Sequence, residues 1–251
     1  MVVLNRAKEA GLTPGVVVTI NKTNIGLLAD IYSMLAGAGL AFNVVPIVRS
    51  GDAATHFDEF AISPEEWGAA LITLFDLWYK ADPYIQIDDL VHATRAVITG
   101  NPAMCHHTRN CSSFNLSIDP KGDVYPCGWL SGHAELRYGS LHENSLKELL
   151  SERIAFSLRT RETPADCLVC EWKSICHGGC MAHSYLYNKD AHGKSYFCES
   201  IKMIYGHIRN SLKKDGHAIN ICDKEDLFNV LRPTEMPRLN RRRKVIMLKP
   251  T

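Results

Sequence analysis

Residues 167–180 read CLVCEWKSICHGGC, running from Cys167 to Cys180 with the spacing C-x2-C-x5-C-x3-C. Four thiols this close raise one question: do they form a single metal site or parts of two? The chain holds nine cysteines, Cys105, Cys111, Cys127, Cys167, Cys170, Cys176, Cys180, Cys198 and Cys222. The first eight lie between 105 and 198, which is two sets of four. Thiolates are soft ligands that suit both zinc and iron–sulfur clusters. A site made only from 167–180 leaves Cys105, Cys111, Cys127 and Cys198 for the second. Cys167-x2-Cys170 fits a turn that aims both thiols at one centre. Gly178-Gly179 lets the backbone pass close to a bulky inorganic group. Cys222 stands outside the pattern and reads as a plain thiol near a helix end.

Composition sets the frame. The chain has 251 residues, 46% apolar and 22% charged, with a net charge of +1. This is a globular composition with no bulk field for nucleic acid or an anionic membrane. No apolar run approaches the roughly 20 residues that span a bilayer. The opening MVVLNRAKEAGLTPG has Arg6, Lys8 and Glu9 where a signal peptide needs an apolar region. A cytoplasmic location is therefore expected, where thiols stay reduced and cysteines serve metal rather than disulfides.

The first hundred residues alternate strand and helix signals. Gly15 to Ile20 is a β-branched run, expected as a buried parallel strand. Asn24 can cap the next helix, whose apolar face is Ile25, Leu28, Ile31 and Leu35. Phe42 to Val48 is a second apolar strand, giving a βαβ unit. Ser63-Pro64-Glu65-Glu66 is a helix start with a capping box, followed by the stripe Trp67, Leu71, Leu74, Phe75 and Trp78. Leu90 to Thr99 reads as a further helix ended by Gly100. After Cys105 the texture changes. Phe114 to Ile118, the turn Asp119-Pro120-Lys121-Gly122 and Asp123 to Pro126 form a hairpin that delivers Cys127. Ser145 caps a helix through Leu146, Leu149, Leu150 and Ile154, and another helix covers about 199–213. The run Arg241-Arg242-Arg243-Lys244 reads as a solvated tail.

The complete spacing, C-x5-C-x15-C, a gap of 39 residues, then C-x2-C-x5-C-x3-C-x17-C, resembles the SPASM domain of radical SAM peptide-modifying enzymes. Gly122-x4-Cys127 and Tyr138-Gly139-Ser140-Leu141 fit the same pattern. The resemblance implies an α/β fold. Residues 1–99 are then the last β/α units of a partial (β/α)6 radical SAM barrel. Residues 100–225 form the cysteine-rich SPASM domain, a β-hairpin plus helices around two iron–sulfur clusters, and 226–251 are a basic tail. It also implies interleaved ligand sets. Cys105, Cys111, Cys127 and Cys180 would hold one [4Fe-4S] cluster, and Cys167, Cys170, Cys176 and Cys198 the other. Filled by four thiolates each, such clusters suit electron transfer during radical modification of a peptide or protein.

Two departures shape the expectation. The C-x3-C-x2-C loop that binds the S-adenosylmethionine cluster is absent, and so is the glycine-rich segment that grips the cofactor. The chain thus resembles the C-terminal part of a longer enzyme. S-adenosylmethionine is expected only in a complete parent enzyme, and no residue here is assigned to it. Gly128 stands where sulfatase-maturating members carry a proton-accepting Asp after the third cysteine, which leans toward other peptide maturases. The general base stays unassigned. His106, His107, His177 and His183 flank ligands and read as supporting or surface groups. Arg49 reads as a strand-end salt bridge, Asn21 and Asn24 as caps, and Trp172 as packing over the cysteine loop. Expected partners are a peptide or protein substrate, and an electron donor or SAM-binding chain, with no nucleic acid and no membrane. The alternative is a non-catalytic module, holding two zincs or clusters, that serves as a partner subunit.

Overall fold

The computed structural model describes residues 2–217. Cys222 and the basic tail 226–251 lie outside the described residues.

Helix α1 (Val2–Glu9) leads to strand β1 (Gly15–Ile20), which pairs in parallel with β2 (Ala41–Pro46) in the register Val18↔Val44. Helix α2 (Leu28–Gly37) connects them, as the sequence predicts. β1 differs from the buried strand expected. Val17 is 67% exposed, and only Ile20 of this strand is fully buried. β2 is its only strand neighbour among the described residues, and the core covers one face, so alternate side chains stay in solvent. β2 turns Phe42 and Val44 inward. Asn24 differs too. Its side chain caps nothing; instead Nδ2 donates to the Thr19 carbonyl and Oδ1 accepts from the Asn21 amide, tying the strand end to the next turn. Asn21 Oδ1 accepts from the Thr23 amide and hydroxyl, a local turn.

The short α3 (Phe57–Phe60) precedes α4 (Pro64–Tyr79). Ser63 and Glu66 form the expected capping box, and Pro64 occupies the first turn. Trp67, Leu74, Phe75 and Trp78 are buried, and Trp78 Nε1 donates to the Ile85 carbonyl at 2.8 Å. Helix α5 (Asp88–Thr99) ends at Gly100, which adopts φ 69°. That left-handed residue is what glycine permits.

Strands β3 (Ser117–Ile118) and β4 (Asp123–Tyr125) make the expected hairpin, and β5 (Gly139–Ser140) adds a third antiparallel strand. Asp119 Oδ1 accepts from the Lys121 and Asp123 amides and so builds the turn. Ser145 caps a helix as predicted, but the helix breaks: α6 (Leu146–Leu149) stops and α7 (Arg153–Arg159) restarts. Leu149 and Ala155 are both buried, so the break lets each segment face the core separately. Then come α8 (Lys173–Cys176), α9 (Met181–Asn188) and α10 (Cys198–Lys214).

α10 crosses back and packs on α4 and α5. At the crossing a Cβ on Gly68 would sit 2.6 Å from Met203 Sδ and 3.1 Å from Ser200 Cα. Ser200 Oγ donates to the Pro64 carbonyl. One core therefore runs from Ile20 through Phe75 and Ile98 to Trp172, Cys176 and Tyr205. A second, smaller core joins Val124, Leu130, Leu149, Leu158 and Met181. Cys170 and Cys176 pack with the first core, and Cys111, Cys127 and Cys180 with the second.

Candidate metal centre

Two cavities receive the eight thiols. The larger, about 420 Å³, is lined by Cys105, Cys111, Cys127 and Cys180. The smaller is lined by Cys167, Cys170, Cys176 and Cys198. These are the two interleaved sets, one to each cavity. All eight are free thiols.

Local backbone explains the division. Cys105 and Cys111 each open a short 3-10 turn, and the hairpin ends at Cys127. Between Cys176, the last residue of α8, and Cys180, which caps α9, lie three consecutive left-handed residues. They are His177 (φ 50°), Gly178 (φ 89°) and Gly179 (φ 72°). This reversal sends Cys176 to one cavity and Cys180 to the other. His177 is a non-glycine in a disfavoured region, held by a 3.0 Å hydrogen bond between its Nδ1 and the His107 carbonyl. A Cβ on Gly178 would lie 2.6 Å from Pro164 Cδ, and one on Gly179 2.7 Å from Ser195 Cβ. The glycines are thus required by backbone angle and by protein packing, rather than by the inorganic centre alone.

Electrostatics follow the same partition. Burial pushes the Cys111 thiol up to about 11, with Cys105 and Cys127 adding to the rise. Burial pushes Cys180 to about 12, aided by Cys127 and Cys111. Burial pushes Cys176 to about 12, aided by Cys198, Cys167 and Cys170. Cys127, Cys167 and Cys198 rise for the same main reason. Each of these thiols is raised by members of its own set. Among the described residues no group of three His, Cys, Asp or Glu side chains is gathered to grip one metal ion. Each quartet surrounds a space instead.

The histidines are more deeply placed than flanking surface groups. His106, His107 and His183 line the larger cavity. Burial pushes His106 down to about 4, with His92 adding to it, and His183 down to about 3, with His106 adding to it. They are neutral at physiological pH. His107 is 3% exposed, and its Nδ1 meets the Tyr205 hydroxyl at 2.5 Å. Tyr205 in turn packs against Trp172 with ring centroids 5.5 Å apart. Trp172 lines the smaller cavity, and the Arg209 guanidinium lies 4.4 Å over its ring. A continuous set of rings thus joins the two cavities.

The other candidates lie elsewhere. Arg49 pairs with Asp58 at 3.4 Å and covers the Phe57 ring, as a strand-end salt bridge should. Gly128 does line the larger cavity and brings no carboxylate. Asp89, in the first turn of α5, is the one carboxylate among the described lining residues. Nothing in the local sequence marks it, because two adjacent acids at a helix start read as capping charge. Arg161 also escapes the sequence. It is 1% exposed, yet it lies within the polar run Arg159-Thr160-Arg161-Glu162-Thr163, which reads as solvent-facing.

Residues 105–171 match the SPASM family, described as an iron–sulfur cluster-binding domain. The serine-type anaerobic sulfatase-maturating enzyme of Bacteroides thetaiotaomicron is 28% identical over 158 residues, covering 60% of this chain and 37% of that protein. The mycofactocin maturase MftC of Mycobacterium tuberculosis is 26% identical over 209 residues, covering 73% of this chain and 52% of that protein. The chain therefore spans roughly half or less of these relatives. In structure it resembles anSMEcpe with bound AdoMet, with a TM-score of 0.71 and 18% identity over 90% of this chain and 60% of that one. A further anSMEcpe structure, with bound AdoMet and Cp18Cys peptide, superposes with a TM-score of 0.69 at 16% identity, over 84% of this chain and 60% of that one. The chain shares the α/β fold of the matching part of anSMEcpe, its residues 105–171 match the SPASM iron–sulfur cluster-binding domain, and its sequence is similar to anaerobic sulfatase-maturating enzymes and mycofactocin maturase.

Proposed function

We propose that this chain is the cluster-bearing portion of a radical SAM/SPASM peptide maturase. It holds two [4Fe-4S] clusters, one in each cavity. Cys105, Cys111, Cys127 and Cys180 are the ligands of the first, and Cys167, Cys170, Cys176 and Cys198 of the second. The observation that carries this reading is the coincidence of two cavities with two interleaved cysteine quartets. A cluster filled by four thiolates supplies one-electron transfer and offers no open iron to substrate.

The chain's own groups prepare both sites. Burial raises the proton affinity of Cys111, Cys127, Cys167, Cys176, Cys180 and Cys198, and these thiols must release protons to become ligands, so assembly is favoured by higher pH. The staple at 176–180 ties the two sites together mechanically. The larger cavity is lined by Val44, Leu71, Leu90 and Phe197 beside its thiols, and these walls suit an apolar peptide segment. Residues 1–99 serve as the C-terminal portion of the barrel and 100–225 as the cluster domain, with α10 packed on both α4 and α5. S-adenosylmethionine belongs to the complete parent enzyme. An electron donor or a SAM-binding chain is the further partner this reading calls for.

Anaerobic purification with iron and sulfide analysis tests the reading. About eight irons per chain are expected for two four-iron clusters. A colourless protein with two zincs would mean the non-catalytic zinc module instead.

A further inference from the structure

Arg161 is 1% exposed. Its Nη1 donates to the Gly179 carbonyl at 3.1 Å and its Nη2 to the Gly193 carbonyl at 2.5 Å, while Nε has no partner. Among the described residues it makes no ion pair. The eight recorded pairs all join other residues. A guanidinium stays charged in proteins. Burying a charge without an opposite charge is strongly unfavourable, and carbonyl dipoles offset only part of the lost hydration.

The missing counter-charge has a visible source. Burial is the largest influence on Arg161 and disfavours its charge; Cys111, Cys180 and Cys167, and then Asp190, act the other way. Cys111 and Cys180 belong to the first quartet and Cys167 to the second. Asp190 is exposed and accepts from the His192 amide. Arg161 therefore sits against the 177–179 reversal that separates the two quartets, bonded to the Gly179 carbonyl next to Cys180 and beside Gly178, which lines the smaller cavity. Its placement is fixed from two sides. The carbonyl of Gly179, in the reversal that separates Cys176 from Cys180, is one acceptor. Gly178 has no Cβ, which leaves room for Nη2 and for Pro164.

We propose that Arg161 is a buried counter-ion shared by the two thiolate-bound clusters, stabilising their anionic charge and raising their reduction potentials. The proposal rests on the two-cluster reading above. Each added electron increases the negative charge beside the guanidinium, so the reduced state gains more than the oxidised state. The first cluster, with two ligands near Arg161, should feel this more than the second. Removing the charge should move the potentials to more negative values, and a lysine should preserve part of the effect.

The test uses the full chain carrying its clusters, prepared anaerobically, with Arg161→Met and Arg161→Lys. EPR-monitored redox titration reads the potentials, and iron analysis reads occupancy. Expected is a negative shift in Arg161→Met, larger for one cluster, and a smaller shift in Arg161→Lys. Arg161→Met with full iron and unchanged potentials would overturn the proposal. If Arg161→Met loses iron, thermal unfolding of chelated samples decides. Without clusters the buried charge is a liability, so chelated Arg161→Met should melt at or above chelated wild type. A variant that melts well below wild type without iron, or that never folds, makes Arg161 purely architectural and overturns the proposal. A wild-type chain that takes up no iron sinks the two-cluster reading itself, which is a separate outcome.

Discussion

Asp89→Asn should stabilise the protein at neutral pH, and the gain should shrink as pH falls. Asp89 lines the larger cavity, with apolar side chains around it and Asp88 beside it in the same helical turn. Burial first, and then the Asp88 charge, push its carboxyl from 3.8 up to about 6. The folded state thus binds this proton more tightly than the unfolded state. Stability from Asp89 is present below the unfolded value and is lost as pH rises through about 6. Above that point the buried carboxylate costs at most ~3 kcal/mol, at 1.36 kcal/mol per tenfold in the proton equilibrium. Residual solvent contact reduces this to about 1–3 kcal/mol. An asparagine has no charge to bury. At pH 8 the variant should gain that full amount, and at pH 5 roughly half of it. An anionic cluster in the same cavity pushes the carboxyl the same way, so the sign holds in the loaded protein. Thermal unfolding of both proteins at the two pH values measures the difference. Carboxyl-carbon NMR on wild type reads the titration directly. A carboxyl titrating near 4, or a variant equal to wild type at pH 8, refutes the reasoning.

Other changes have expected sizes. Ser63→Ala removes the hydroxyl that accepts from the Glu66 amide and should cost ~1 kcal/mol. That is a drop of roughly 2–4 °C in Tm for a chain of this length. Leu74→Ala empties a side chain 1% exposed in the α4 core and should cost about 2–5 kcal/mol in thermal or urea unfolding. Gly178→Ala places a Cβ against Pro164 at φ 89°. It should cost at least ~1–2 kcal/mol from backbone strain and lower iron retention, read by iron analysis after gel filtration.

Much of the fold was legible because local chemistry agreed with tertiary demand. The capping box at Ser63, the stop at Gly100 and the turn at Asp119 are short-range devices, and each stands where its residues predict. The resemblance implied the interleaved cysteine sets, and the two cavities are lined by the same two quartets. What escaped depended on contacts distant in sequence. The exposure of β1 follows from its having one strand neighbour among the described residues, which no property of GVVVTI reveals. The break between α6 and α7 follows from two core positions that one straight helix cannot both serve. Asn24 bonds to the Thr19 carbonyl because the strand end is within reach, so its capping propensity is not used. Arg161 and Asp89 have unremarkable neighbours in sequence, and only the packing of the two cores makes one a buried cation and the other a cavity carboxylate. His107 and Tyr205 are 98 residues apart, and nothing local pairs them.

The interleaved ligand assignment is the central claim, and counting metal in two single-thiol variants tests it most directly. Wild type, Cys180→Ala and Cys170→Ala are prepared anaerobically, and iron, sulfide and EPR signals are measured. The account predicts about eight irons in wild type and about four in each variant, with a different cluster signal surviving in each. Loss of the same signal from both variants, with the other spared, would contradict it.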